Sequence, residues 1–95
     1  MTWTVTFSAK AAKQAAKLPA KIFGRLDALR AQIEVAGPVQ PVMPHFGKLK
    51  GWPGDTYHCH LNKGRTTYVA IWTVEDSTVQ LVEVKYVGTH EKAPY

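Results

Sequence analysis

Apolar and polar positions alternate with period two from Trp3 to Phe7, where Trp3, Val5 and Phe7 are interleaved with threonines, and this predicts an N-terminal strand. Ser8 then offers a side-chain oxygen to cap a helix beginning at Ala9. The alanine- and lysine-rich run from Ala9 to Lys17 has high helix propensity. Pro19 disfavours helical backbone at Leu18, so this helix is expected to stop there, with Pro19 entering the first turn of a second helix. In that helix Ile22, Leu26, Leu29 and Ile33 recur at intervals of four, three and four and form one apolar stripe. Arg25, Asp27, Arg30 and Glu34 fall largely on its other side, and Gly37 followed by Pro38 ends it.

Pro38, Pro41 and Pro44 make the next stretch an irregular connection. Gly47 to Gly51 reads as a short strand with Lys48 and Lys50 on one face and Leu49 on the other. Beyond the turn residues Pro53, Gly54 and Asp55, three strands are expected at Thr56 to Leu61, Arg65 to Val74 and Val79 to Val87. Asn62-Lys63-Gly64 and Glu75 to Thr78 supply the turns, and such short connections make consecutive strands antiparallel neighbours. The Arg65 to Val74 strand is apolar on both faces from Tyr68 to Trp72, which suits a central position. The last strand alternates Val82, Val84 and Tyr86 against Glu83 and Lys85. The expected fold is therefore α+β, a single domain over residues 1–95. An N-terminal strand and a two-helix hairpin pack on a four-stranded antiparallel meander, and the sheet's other face stays partly open.

The composition, 45% apolar and 20% charged, is that of a folded domain, and no apolar run approaches the roughly 20 residues that would span a bilayer. No membrane role is implied. No secretory signal is visible at the N-terminus, so a cytoplasmic location is expected. The one cysteine, Cys59, lies on the apolar face of its strand and is expected to be a buried, reduced thiol. The net charge of +5 favours a polyanionic partner such as nucleic acid, or an acidic protein.

The chemistry concentrates between Tyr57 and Arg65. Alternation puts Tyr57, Cys59 and Leu61 on one face of a strand and His58 and His60 on the other. Two such imidazoles are the donors a metal takes, with His45 or His90 as a third ligand, but no carboxylate sits at a supporting position and there is no second cysteine, so no metal or other cofactor is expected. Combined with Lys48, Lys50, Lys63 and Arg65, the same histidines would make a face that attracts phosphate. Arginine grips a phosphate through paired donors, lysine neutralises it, and histidine transfers protons near neutral pH. Those are the parts for metal-free RNA cleavage through a ribose 2′-hydroxyl, and equally those of a passive basic binding face.

The order of these segments also resembles a known family. The helical hairpin, Lys48-Leu49-Lys50-Gly51, Tyr57 to Leu61, the long apolar strand and the ending Gly88-Thr89-His90 followed by Tyr95 resemble the RelE/ParE superfamily of bacterial toxins over nearly the whole chain. The C-terminal part is similar to the branch of RelE-type endonucleases that cleave messenger RNA in the ribosomal A site and carry a catalytic histidine there. The resemblance implies His90 as general acid or base and Tyr95 as an aromatic that positions substrate. It also implies His60 as a strand histidine of that branch and Arg65 as the arginine that stabilises the transition state. Lys48, Lys50, His58 and Lys63 would hold RNA or phosphate. The implied partners are a cognate antitoxin, the ribosome and its messenger. The same fold also serves ParE-like gyrase inhibitors and inactive antitoxin-binding relics, which remain as the alternative. The chain departs from the family where an arginine is common on the last strand, around Lys85 and Tyr86, and Tyr95 lies five rather than four residues beyond His90.

Overall fold

The computed structural model describes residues 2–95. The chain runs β1 (Thr4–Phe7), α1 (Ala9–Ala16), α2 (Ala20–Ala36), β2 (Gly47–Lys48), β3 (Thr56–His60), β4 (Tyr68–Asp76) and β5 (Leu81–Thr89), and a short 3-10 turn, His90–Lys92, follows. The α+β class and the central place of β4 are as expected. The sheet, however, has five strands in the order β1-β5-β4-β3-β2, because the N-terminal strand joins its edge parallel to β5. The physical reason is open backbone on β5. Thr4 pairs with Leu81 and Phe7 with Val84, and past Phe7 the amides of Ser8 and Val87 find the Val84 carbonyl and the Gln14 side chain.

The helices form where propensity and capping place them. Ser8 Oγ accepts a hydrogen bond from the Ala11 amide at 3.0 Å. Pro19 sits one position earlier than expected, as the residue preceding α2, where its extended ψ of 147° turns the chain into the helix. At the far end Gly37 has φ 94° and lies under the Trp3 indole, so an added Cβ would meet Trp3 Nε1 at 3.2 Å. Ala11 and Ala15 of α1 and the stripe Ile22, Leu26, Leu29 and Ile33 of α2 bury against Cys59, Ala70, Trp72, Val82, Val84 and Val87 of the sheet.

Several strand boundaries differ from the sequence expectation, and three of them have a local cause. Residues Arg65 to Thr67 stay in the loop because Asn62 closes it, accepting from the Tyr68 amide at 2.8 Å and donating to the Thr66 carbonyl at 3.0 Å. Asp76 accepts from the Thr78 and Val79 amides, and Gln80 takes φ 55°, so β5 begins at Leu81 rather than Val79. The second strand is only Gly47–Lys48, since Lys50 and Gly51 already turn and Gly51 has φ 81°.

The β4–β5 pairing also shifts register twice, leaving Lys85 and Glu75 as the extra residues. The bulge at Lys85 overturns the expected alternation. Tyr86 leaves the Val82 and Val84 face, joining Val69 and Ile71 on the opposite one, and Val87 enters the helix-side core instead. That second face is partly covered by Leu49, Trp52 and Ala93.

Candidate functional site

The site is built where the open face of β3 meets the C-terminal segment. Tyr57 and Cys59 pack into the helix-side core, which leaves His58 and His60 on the open face. Burial pushes the Cys59 thiol up to about 12, so it stays protonated and plays no nucleophilic part here.

His90 reaches β3 by a chain of local constraints. Gly88 opposes Val69, and the Tyr86 ring lies across it, with the hydroxyl 2.7 Å from where an added Cβ would stand. That hydroxyl donates to the Thr89 carbonyl at 2.8 Å, and the His90 amide donates to the Thr67 carbonyl at 2.7 Å. The glycine of Gly-Thr-His is thus required by the tyrosine above it. Gly88→Ala is expected to displace Tyr86 and destabilise the fold by about 1–3 kcal/mol, read as a lowered denaturant midpoint.

The rings then form one connected cluster. His60 and His90 meet edge to face with centroids 5.2 Å apart, His90 and Tyr95 do so at 5.9 Å, and Tyr95 lies 5.0 Å from His58. A fifth ring, His45, stacks on His60 at 4.1 Å. The loop before β2 holds it there: the His60 amide donates to the Pro44 carbonyl at 2.8 Å, and His45 itself takes φ 54°. A non-glycine residue in that region costs about 1 kcal/mol or more and is kept only where its surroundings enforce it. In the sequence His45 stood out only as a possible third imidazole for a metal. Its place in the stack depends on a long-range hydrogen bond that no local pattern announces.

Burial lowers the pKa of His60 and of His58, and the neighbouring imidazoles of His45 and His90 lower both further. Both rings are therefore neutral at neutral pH. His58 Nδ1 is buried without a hydrogen-bond partner, which also disfavours a charged ring. The unfolded chain, near the ordinary value of 6.5, binds protons more readily than the folded one. Stability therefore rises with pH across the window from the depressed folded values up to that value, and falls on acidification through it. A double variant, His58→Gln with His60→Gln, is expected to flatten that slope in denaturant midpoints measured from about pH 7.5 down to about pH 5.

The cations separate into two groups. Arg65 lines a recess of about 470 Å³ together with Thr67, Thr89, His90, Glu91 and Lys92, so His90 stands between the imidazole cluster and a hollow that carries two cations and one carboxylate. Lys92 was not singled out in the sequence. The other lysines do not converge on the histidines. Lys48 is cross-strand from Tyr57, not His58, so it projects on the helix side of the sheet, and it pairs with Asp55 at 2.8 Å. Lys50 lies in the turn after β2, and Lys63 lines a separate groove with Lys21 and Arg25 of α2. The expectation that all four cations crowd the histidine face holds only for Arg65: strand register turns Lys48 to the helix side, and Lys50 and Lys63 lie in connections outside the strands. Among the described residues, no three His, Cys, Asp or Glu side chains are arranged to hold a metal ion. Also among them, no helix is long and apolar enough to cross a membrane.

A scan against protein-family models gives no match, and a search of curated proteins gives none either. Solved structures are similar throughout the chain. In the RelE–RelB complex of Pyrococcus horikoshii the match has a TM-score of 0.77 at 22% identity, covering 98% of this chain and 100% of the other. A mutant of the Escherichia coli toxin RelE in its free state matches with a TM-score of 0.74 at 22% identity, over 98% of this chain and 88% of that one. The E. coli DinJ–YafQ toxin–antitoxin complex gives 0.72 at 19% identity, with both chains covered to 100%. The fold is RelE-like.

Proposed function

We propose that this RelE-like chain is the toxin of a type II toxin–antitoxin pair and cleaves ribosome-bound messenger RNA by metal-independent attack of a ribose 2′-hydroxyl. The observation that carries the reading is the contact of His90 with His60 and Tyr95 beside a recess lined by Arg65 and Lys92. His60, held neutral by burial, accepts the 2′-hydroxyl proton as that oxygen bonds to phosphorus. Arg65 and Lys92 offset the charge growing on the phosphate. The exposed His90 delivers a proton to the departing 5′-oxygen as the phosphorus–oxygen bond breaks. The products are a 2′,3′-cyclic phosphate and a 5′-hydroxyl. Tyr95, whose phenol burial keeps protonated, packs against both His58 and His90 and holds the cluster's outer wall.

The cognate antitoxin is proposed as the protein partner, covering this basic, aromatic face until it is removed. Primer extension on messengers after brief induction tests the function. Discrete cuts inside coding regions support it, whereas a DNA-damage response without cuts favours the gyrase-inhibitor alternative.

A further inference from the structure

β1 pairs with β5 only from Leu81 to Val84, so the C-terminal half of β5 is left with an edge that β1 does not cover. α1 takes part of that edge. Ala11 and Ala15 are small enough to bring the helix down onto the sheet, and Gln14 Oε1 accepts from the Val87 amide at 3.0 Å. Lys10, Gln14 and Lys17 follow one another at intervals of four and three, so they form one ridge of α1 beside the buried alanines. A hollow of about 500 Å³ lies between this ridge and the end of β5, walled by these three residues with Tyr68, Thr89 and Lys92.

The lining selects the ligand. Three lysines enter its walls and no carboxylate does, whereas the recess beside His90 sets Glu91 against its two cations. Among the described residues, none of Lys10, Lys17 and Lys92 forms an ion pair. Gln14 is fixed through its oxygen, which leaves its amide N–H₂ group to donate. A phosphate, with a full charge and several acceptor oxygens, matches three ammonium groups and an amide donor. The hollow and the recess share Thr89 and Lys92 as a common wall, so an anion with regularly spaced charges can occupy both at once. We propose that the hollow between α1 and β5 is a second phosphate site, which holds the backbone of an RNA strand beyond the cleaved linkage. It reads no base, because contacts to phosphate carry no sequence information. The assignment rests on the reading of the histidine cluster as an RNA-cleaving site, and it gives the Lys10 and Lys17 side chains a role that the cleavage chemistry leaves unused.

Titration of the isotope-labelled full chain with 2′-O-methyl oligouridylates, followed by amide chemical shifts, tests the site without cleavage, because the attacking hydroxyl is blocked. A hexamer is expected to shift Gln14, Lys17, Gly88 and Lys92 as well as Thr67 and His90, and to bind roughly tenfold or more tightly than a dimer, which reaches only the latter pair. Lys17→Gln should weaken hexamer binding by about threefold or more and reduce the salt slope of log K by about 0.7. Glutamine has nearly the helix propensity of lysine, and this position is exposed, so the fold persists. Lys13→Gln removes the same charge from the outward side of α1, where it lines neither hollow, and should leave hexamer binding within about twofold. Equal affinities for hexamer and dimer, or equal losses in the two variants, would overturn the site while leaving the cleavage proposal standing. A hexaglutamate peptide that binds these residues as tightly as the hexamer would also overturn it, in favour of an acidic protein partner. Hexamer binding here by a chain that cuts no messenger would support the phosphate site and sink the proposed function instead.

Discussion

Replacing His90 with alanine is expected to lower cleavage of ribosome-bound messenger by roughly 10²–10⁴-fold, the usual contribution of a positioned proton donor. The imidazole is exposed and its side chain makes only ring contacts, while its backbone amide, which any residue supplies, carries the hydrogen bond to Thr67. The folded structure should therefore persist. Because the proton moves as the phosphorus–oxygen bond breaks, the loss should appear in kcat with KM little changed. His60→Ala is a less clean test, since it also removes the ring on which His45 stacks. Cleavage by His90→Ala at the wild-type rate would remove this residue from the chemistry.

Trp72→Ala should have the largest effect on stability. The indole is fully buried, lies within 6.4 Å of the Phe46 and Tyr57 rings, and donates to the Pro38 carbonyl at 2.9 Å. Removing a buried tryptophan of this kind costs about 3–5 kcal/mol, a large share of the roughly 5–15 kcal/mol that stabilises a whole domain. For a chain of this length the midpoint of thermal unfolding should fall by more than about 12 °C. The effect also reaches the site. The bond to Pro38 anchors the start of the connection that carries His45, and that connection is pinned again at Pro44 by the His60 amide. A loss below about 0.5 kcal/mol, within the range of ordinary surface substitutions, would mean that this ring is not the centre of the helix-side core.

What the sequence made visible was what depends on local periodicity. The stripe from Ile22 to Ile33, the apolar run in β4 and the alternation that sends His58 and His60 away from Cys59 all appear in the fold as read. The class of the fold followed from them. The deviations arise where a side chain or a distant strand decides. Asn62 and Asp76 lengthen turns by bonding their own backbone, and β1 finds its parallel partner some 77 residues later in the chain. The bulge at Lys85 reverses the side on which Tyr86 lies, a one-residue effect that binary patterning cannot register. In the candidate site, the meeting of His90 and Tyr95 with β3 was suggested by likeness to a family, and the fold brings these rings together. His45 was read only as a possible metal ligand and Lys92 was not singled out, because their neighbours come from tertiary contacts, and Lys48 was misplaced because its face is set by pairing with β3.

The most direct measurement is a cleavage assay of purified full-length chain on ribosomal complexes carrying a defined messenger, run in chelator, with the ends of the fragments identified chemically. The account predicts discrete cuts that persist in chelator and leave a 2′,3′-cyclic phosphate on one fragment and a 5′-hydroxyl on the other. Cuts that vanish on chelation, or that leave a 5′-phosphate, would contradict it.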